Sequence, residues 1–524
     1  MGLLPNSTSV RLFDIIRQYH REGRHKHMMG KRVFAPKFYY QLSLDQLVPQ
    51  NHILRQIAST VDFSFVYPLA KSHYSYTGQP SVDPVVIFKT MLIGYLYGIT
   101  SERRLMGEIQ VNLAYRWFLG YDLDELIPDH SVLTKARSRF GVSVFEKFFE
   151  RSIQICAQAG LLTEGPVYVD ATHVTAAASL DSLVKREETV KPPYSAKDFI
   201  RKVYNENQPP PEVDGTVKQM PATGPDRESK DRHHTEMKVK PQGKTNEKYV
   251  SRTDPEATVV HNARGGLRLA YKAHVAVSGK RGLVVTAAIA TTGITGEEHL
   301  LNDVLQSHTR HTGMPVKQAV ADTRYGMLAN YTTLEQAGIA AFIPPHDRTN
   351  GVNGFWGRDH FRYVPEQDVY LCPAGQSMKC FGISLGKKRV LYRCDPGICQ
   401  VCQSHNQCTP PGNPRTVTRF FDQRLIEEAK ERIESPVGKE LIRQRKTRIE
   451  GIFALGKELH GLRRTRLMGR WKVQIQLWMT ATVINLKRAI KALTARLERV
   501  DPKRTNNSSS PIAITVVLSF IAAN

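Results

Sequence analysis

Between Asp45 and Gly160 the apolar positions recur at helical spacing. Asp83-Pro84 predicts a helix start with proline in its first turn, and Val85, Ile87, Met91, Leu92 and Tyr95 follow along the helix. Ser101 predicts the cap of a second helix, running through Leu105 to Phe118 and stopped by Gly120. Ser143-Val-Phe-Glu146 is a capping box ahead of an apolar helix that ends at Gly160. Between these, Pro128 to Arg139 reads as a short capped helix presenting Lys135, Arg137 and Arg139 on a basic face.

From Gly165 the pattern changes. Val167, Tyr168, Val169 and Val174 are strand formers, bounded by Gly165-Pro166 and by the small residues Ala176 to Ser179. Residues 185–255 are polar, with Pro209-Pro-Pro211 and few large apolar side chains. Such a composition cannot bury enough surface to offset chain entropy, so a mobile insert is expected. Leu269–Val277 and Leu283–Ala290, joined by Ser278-Gly-Lys-Arg-Gly282, predict a hairpin. A helix over Glu297–Leu305, a strand over Lys317–Asp322, a helix over Met327–Ala337 and a strand over Ala340–Ile343 complete the series. Three strands that can run antiparallel, then strands alternating with helices, give an α/β fold. It is a mixed five-stranded sheet with flanking helices, the order an RNase-H-like core requires. Beyond it, Ser435-Pro436 opens a helix that ends before Gly461. The expected division is a basic segment over 1–35, an all-α region over 36–160 and the core over 161–345. A cysteine-rich insert over 346–425, C-terminal core helices over 426–500 and an atypical tail over 501–524 follow.

Composition narrows the partners. The 524 residues carry a formal net charge of +24, which points to a polyanion, most simply nucleic acid. Arg137 and Arg139 then become candidates for DNA contact, with a solvated basic face as the alternative. Met1–Ser9 does not read as a secretory signal, and the apolar run Pro511–Asn524 is shorter than the roughly 20 residues that span a bilayer. A cytoplasmic, nucleoid-associated protein with no membrane contact is expected. Six of the seven cysteines lie between Cys372 and Cys408. Cys399-x2-Cys402, flanked by Cys394 and Cys408, has the spacing of a structural zinc site; His405 could replace one thiol, and reduced thiols in a packed lobe are the alternative.

Two aspartates carry the candidate chemistry. Asp170 lies inside an apolar strand, where an unpaired carboxylate costs several kcal/mol, so a cation or a set of hydrogen bonds must neutralise it. Asp322 ends another strand, where α/β sheets place ligands, and two aspartates on adjacent strands repel unless a cation lies between them. A third acid is expected from the helix after Ser435. Arg443, Lys446, Glu450 and Lys457 share one face of it, packed by Ile442, Ile449, Ile452, Phe453 and Leu459. Plain i,i+4 salt bridges would give the same stripe, and Glu458 is a rival on another face. His173, His274 and His299 lie close to the core and read as hydrogen-bonded or DNA-facing groups rather than catalytic bases.

With Val169-Asp170-Ala-Thr172, Ala321-Asp322-Thr-Arg-Tyr325 and Arg448-Ile-Glu450 through Lys457, the chain resembles bacterial insertion-sequence transposases of the DDE class, in the group with a tyrosine–arginine–glutamate–lysine signature. The Glu-x6-Lys spacing fits, whereas the tyrosine and arginine positions hold Arg443 and Lys446. Thr253-Asp-Pro-Glu256, Tyr271-Lys-Ala-His274 and the closing helix from Trp471 through Lys487 also resemble the family. The resemblance implies catalysis by Asp170, Asp322 and Glu450 holding two Mg²⁺ (or Mn²⁺) ions, with DNA cleavage at terminal inverted repeats and strand transfer of the freed 3′-hydroxyl into target double-stranded DNA. It further implies phosphate contact by Lys457, with Arg443 and Lys446 beside it, and a homo-oligomer on DNA. A metal-dependent nuclease without strand transfer and a DNA-binding protein with an inactive core are the alternatives.

Overall fold

A computed structural model describes residues 42–74, 81–186, 244–261, 265–279, 284–346, 354–386 and 388–500. The expectations for residues 1–41, for 187–243 of the insert and for the tail from 501 lie outside these. Residues up to Leu47 form a unit by themselves, whose described part carries the single turn α1 (Leu44–Leu47).

Within the second unit, α2 (Ile53–Thr60) and α3 (Val66–Lys71) precede α4 (Pro84–Leu96), where Asp83 accepts from the Val85 N–H as the expected cap. Ser101 caps α5 (Glu102–Val111). The expected single helix to Phe118 breaks at Asn112, whose side chain accepts from the N–H groups of Ala114 and Tyr115 and so starts α6 (Leu113–Leu119). The basic helix and the capping-box helix are one element, α7 (Ser131–Gln158), interrupted at Gly141 with φ 64° and ψ −170°. Phe88 of α4 meets Phe140, Phe145 and Phe148 of α7 with ring centroids 5.6, 5.0 and 5.1 Å apart.

The main sheet contains β1 (Val167–Thr175), β4 (Thr258–His261), β5 (Leu267–Ser278), β6 (Val284–Thr292), β7 (Gln318–Val320) and β8 (Ala340–Phe342), after a short β2 (Leu183–Lys185)–β3 (Tyr249–Ser251) ladder. Its order is β4-β5-β1-β7-β8, with β6 also on β5. The five expected strands therefore run β6-β5-β1-β7-β8, antiparallel on one side of β1 and parallel on the other. The sixth strand, β4, and the short helix α8 (Lys244–Lys248) lie where the insert meets the core. Ahead of the expected boundary at 255, residues 244–254 already belong to the core: Asp254 is buried and accepts from Tyr271 Oη at 2.6 Å and the Gly469 N–H at 3.2 Å.

Alternation along β1 divides the core. Tyr168 and Val174 join the cluster formed with the N-terminal helices and α15 (Arg470–Val500), whereas Val167 and Val169 pack with α9 (Leu301–Thr312), α10 (Leu328–Gln336) and α13 (Gln423–Glu434). The outer edge of β6 is closed by two amides of α15. Gln474 bonds the backbone of Ala288 and Ala290, and Asn485 bonds both backbone groups of Val285. A separate lobe holds the antiparallel strands β9 (Arg362–Val364), β10 (Val369–Leu371), β11 (Ser377–Ser384), β12 (Arg389–Arg393) and β13 (Thr416–Phe420), with α11 (Pro396–Gln400) and α12 (His405–Cys408) between the last two.

Candidate active site

The register of the parallel pair β1–β7 sets the site. Val167 faces Ala319 and Tyr168 faces Val320, so Asp170 and Asp322 lie level on neighbouring chains and share the parity of Tyr168 and Val320. Asp170 Oδ1 accepts from the Ala171 N–H at 2.7 Å. Asp322 Oδ1 accepts from the Arg324 N–H at 3.0 Å and so caps the turn Thr323–Tyr325.

A third carboxylate joins them. The ligand atoms of Asp170, Glu297 and Asp322 lie within 4.8 Å of one another. Glu297, nearly fully buried, begins a short turn after β6 and pairs with Arg324 Nη1 at 2.9 Å and Lys272 Nζ at 3.3 Å. Burial raises the Asp170 carboxyl above its ordinary range, and the charges of Asp322 and Glu297 push it the same way against Arg445. Asp322 is raised by burial and by Glu297. The Tyr325 hydroxyl, buried and raised first by burial and then by the same three acids, has no hydrogen-bond partner among the described residues.

Helix α14 (Pro436–Leu459) covers this face of β1. Ser435 caps it by accepting from the Gly438 N–H, and Pro436 occupies its first turn. Its far end is pinned where Thr175 pairs with the following loop, through Thr175 N–H to Arg463 O at 3.1 Å and Thr465 N–H to Thr175 O at 2.7 Å. Along the strand, Tyr168 Oη meets Gln444 at 2.9 Å and Arg448 Nη1 at 2.8 Å, and Arg445 Nη1 donates to Asp170 Oδ2 at 2.7 Å. Lys457 Nζ donates to Thr172 Oγ1 at 2.6 Å, its ammonium lowered mainly by burial.

The expected residues therefore separate. Asp170 and Asp322 come together, and Lys457 reaches the same strand. Glu450 is exposed and outside the carboxylate cluster, on the solvent side of α14 with the exposed Arg443 and Lys446; Arg443 is forked onto Glu440. Leu459, expected to pack, is 48 % exposed because the helix ends there. Arg137 overturns its expectation of an exposed DNA contact: it is buried and paired with Glu102, since its position on α7 turns towards α5. Arg139 is exposed over the Tyr74 ring. His173 bonds Gly293 O at 3.1 Å and His274 bonds Thr291 Oγ1 at 3.0 Å, both lowered by burial, His274 to about 3; His299 is exposed beside Glu298. Sequence reasoning missed Glu297 and Arg445. Arg445 had a signal, an arginine on the apolar stripe of Leu441, Ile449 and Ile452, where a cation needs a buried partner. Glu297 had none, because only folding brings its turn to β1.

No helix among the described residues is long and apolar enough to cross a membrane. Residues 42–139 match the family described as a transposase domain (DUF772), and residues 371–490 match that described as a transposase DDE domain. No curated protein matches the chain. The first match covers the N-terminal helices, and the second runs from the cysteine lobe through α14 and most of α15. With these matches in helices and lobe flanking a sheet that sets two aspartates side by side, the chain belongs with the insertion-sequence transposases of the DDE family.

Proposed function

We propose that this transposase cleaves DNA at the ends of its mobile element and joins the freed 3′-hydroxyls to target DNA in one divalent-metal site built on Asp170 and Asp322. The observation that carries this reading is the level pairing of the two aspartates across β1 and β7, with both carboxyls raised first by burial, Asp170 further by Asp322 and Glu297 and Asp322 further by Glu297. Three acids beside a buried Tyr325 hydroxyl that has no partner among the described residues form an oxygen-rich set, which suits Mg²⁺ or Mn²⁺; Arg445, Lys272 and Arg324 offset part of its charge. When bound, such ions activate a water or 3′-hydroxyl and stabilise the leaving oxygen.

Glu450 is the proposed third ligand, brought in by a rearrangement of α14 on DNA. Nothing among the described residues pairs with it, whereas Glu297 is already held by Lys272 and Arg324. Glu297 then acts as a positioning residue, holding Arg324 and with it the turn that Asp322 caps. Arg445 holds Asp170 charged and oriented, and Lys457 supplies a cation for a phosphate of the transposon end. Arg443, Lys446 and Arg139, all exposed, contact flanking DNA as a homo-oligomer assembles on it.

Labelled terminal repeats incubated with a supercoiled plasmid test this. Joined product should require Mg²⁺ or Mn²⁺. Asp170→Asn, Asp322→Asn and Glu450→Gln should each fall at least about 100-fold, the upper range for outer-shell changes at metal sites, with Glu297→Gln losing less. Cleavage without joining would support a nuclease instead, and full activity in the two aspartate variants would remove the site.

A further inference from the structure

The cysteine lobe holds chemistry that a transposase core does not use. Its buried residues form a cluster of their own: Phe361, Tyr370, Met378, Tyr392, Val417 and the cysteines Cys394, Cys399 and Cys408. So small a core is marginal without a cross-link, yet every cysteine is a free thiol. The thiols of Cys372, Cys394, Cys399, Cys402 and Cys408 line one cavity of ≈ 20 Å³, room for a single ion or water.

Each part of that wall is built as a turn that presents sulfur. Cys372 follows β10, its carbonyl accepts from the Gly375 N–H at 2.8 Å, and its Sγ accepts from the Gln376 N–H at 3.3 Å. Asp395 caps α11, which presents Cys399, and the Cys402 N–H closes the turn on Cys399 O at 3.3 Å. Cys408 ends α12, and its carbonyl is held by Arg415 Nη1 at 2.8 Å, which brings a guanidinium to the cavity wall.

Neighbourhood separates the five thiols. Cys408 lies against Cys399, Cys372 and Cys402, and Cys394 hydrogen-bonds Cys399 with Cys372 beside it. Cys380 is exposed and does not line the cavity. No three of these thiols lie within 4.8 Å of one another, so metal would have to draw them together.

We propose that Cys372, Cys399, Cys402 and Cys408 bind one structural Zn²⁺ that fastens the turn after β10 to the segment between β12 and β13. Cys394, hydrogen-bonded to Cys399, remains a thiol beside the set. The set differs from the expected one by exchanging Cys394 for Cys372, a residue far along the chain that folding carries to the cavity. Soft thiolates select zinc over the magnesium of an oxygen site. Loading is Zn²⁺ + 4 RSH → Zn(SR)₄²⁻ + 4 H⁺, with no change of oxidation state, and Arg415 offsets part of the charge. The proposal stands whether or not strand transfer is observed.

The test is metal analysis of the purified full chain. One zinc per chain is expected in the wild type, in Asp170→Asn/Asp322→Asn and in Cys394→Ser, with loss in Cys372→Ser and in Cys402→Ser. Because a ligand variant can fail to fold, the wild type is also loaded with Co²⁺, whose sulfur-to-metal absorption counts thiolates and should report four. Zinc-free wild type, a cobalt spectrum without thiolate bands, or zinc kept in Cys372→Ser and lost in Cys394→Ser would overturn the proposal.

Discussion

Asp322 does two things at once, and they can be pulled apart. Its side chain caps the turn that follows β7, and its charge opposes Glu297 and Asp170. Asparagine caps as well as aspartate but carries no charge. Asp322→Asn should therefore raise the melting temperature of the metal-free protein at neutral pH, by about 2 °C, while abolishing stabilisation by added Mn²⁺. The sign follows from linkage. A carboxyl raised in the folded chain contributes stability at low pH and loses it as pH rises through the folded value, so the gain over wild type should close as pH falls. Thermal melts across pH check it, and a variant less stable at neutral pH would mean that the repulsion is not there.

At the level of elements, the site depends on how turns are seated. Gly326 follows the Asp322 turn with its carbonyl bonded to the His346 N–H at 2.8 Å, and a Cβ there would come within 2.1 Å of Pro344 O. Both contacts are backbone, so neither can swing away. Gly326→Ala should displace the Asp322 loop and lower strand-joining activity more than DNA binding, measured side by side. Glu146 joins α7 to α9 by accepting from Arg310 at 2.9 Å and His311 at 3.0 Å. The His311 hydrogen bond and the Arg310 charge hold its carboxyl below the ordinary value. That contribution is present above the unfolded value and lost as pH falls through the folded one. Glu146→Gln should cost about 1–2 kcal/mol at neutral pH by denaturant melts, with the difference vanishing in acid.

Over the whole molecule, a net charge of +24 sets how it meets DNA. Affinity should fall about 10³-fold or more between 50 and 200 mM salt if six or more phosphates are engaged. Lys446→Ala, on an exposed face, should lower the logarithmic salt slope by about one and leave the melting temperature alone. Arg137→Ala should do the reverse, destabilising by about 3 kcal/mol because Glu102 loses its buried partner, with the slope unchanged. Fluorescence anisotropy across salt, beside thermal melts, separates the two.

Local pattern carried much of this protein. The succession of strands and helices, the caps at Asp83, Ser101 and Ser435 and the placing of Asp170 inside one strand and Asp322 just after another follow from periodicity and turn chemistry, which act within a few residues. Helix phase likewise put Glu450 with Arg443 and Lys446, since 3.6 residues per turn is set by the backbone. Phase does not say which side of a helix meets a sheet. Only tertiary packing turned Arg445 and Arg448 towards β1, buried Arg137 against Glu102 and brought Glu297 to the two aspartates. These contacts join residues dozens to hundreds of positions apart, and their partners are chosen by burial and charge once the layers have closed.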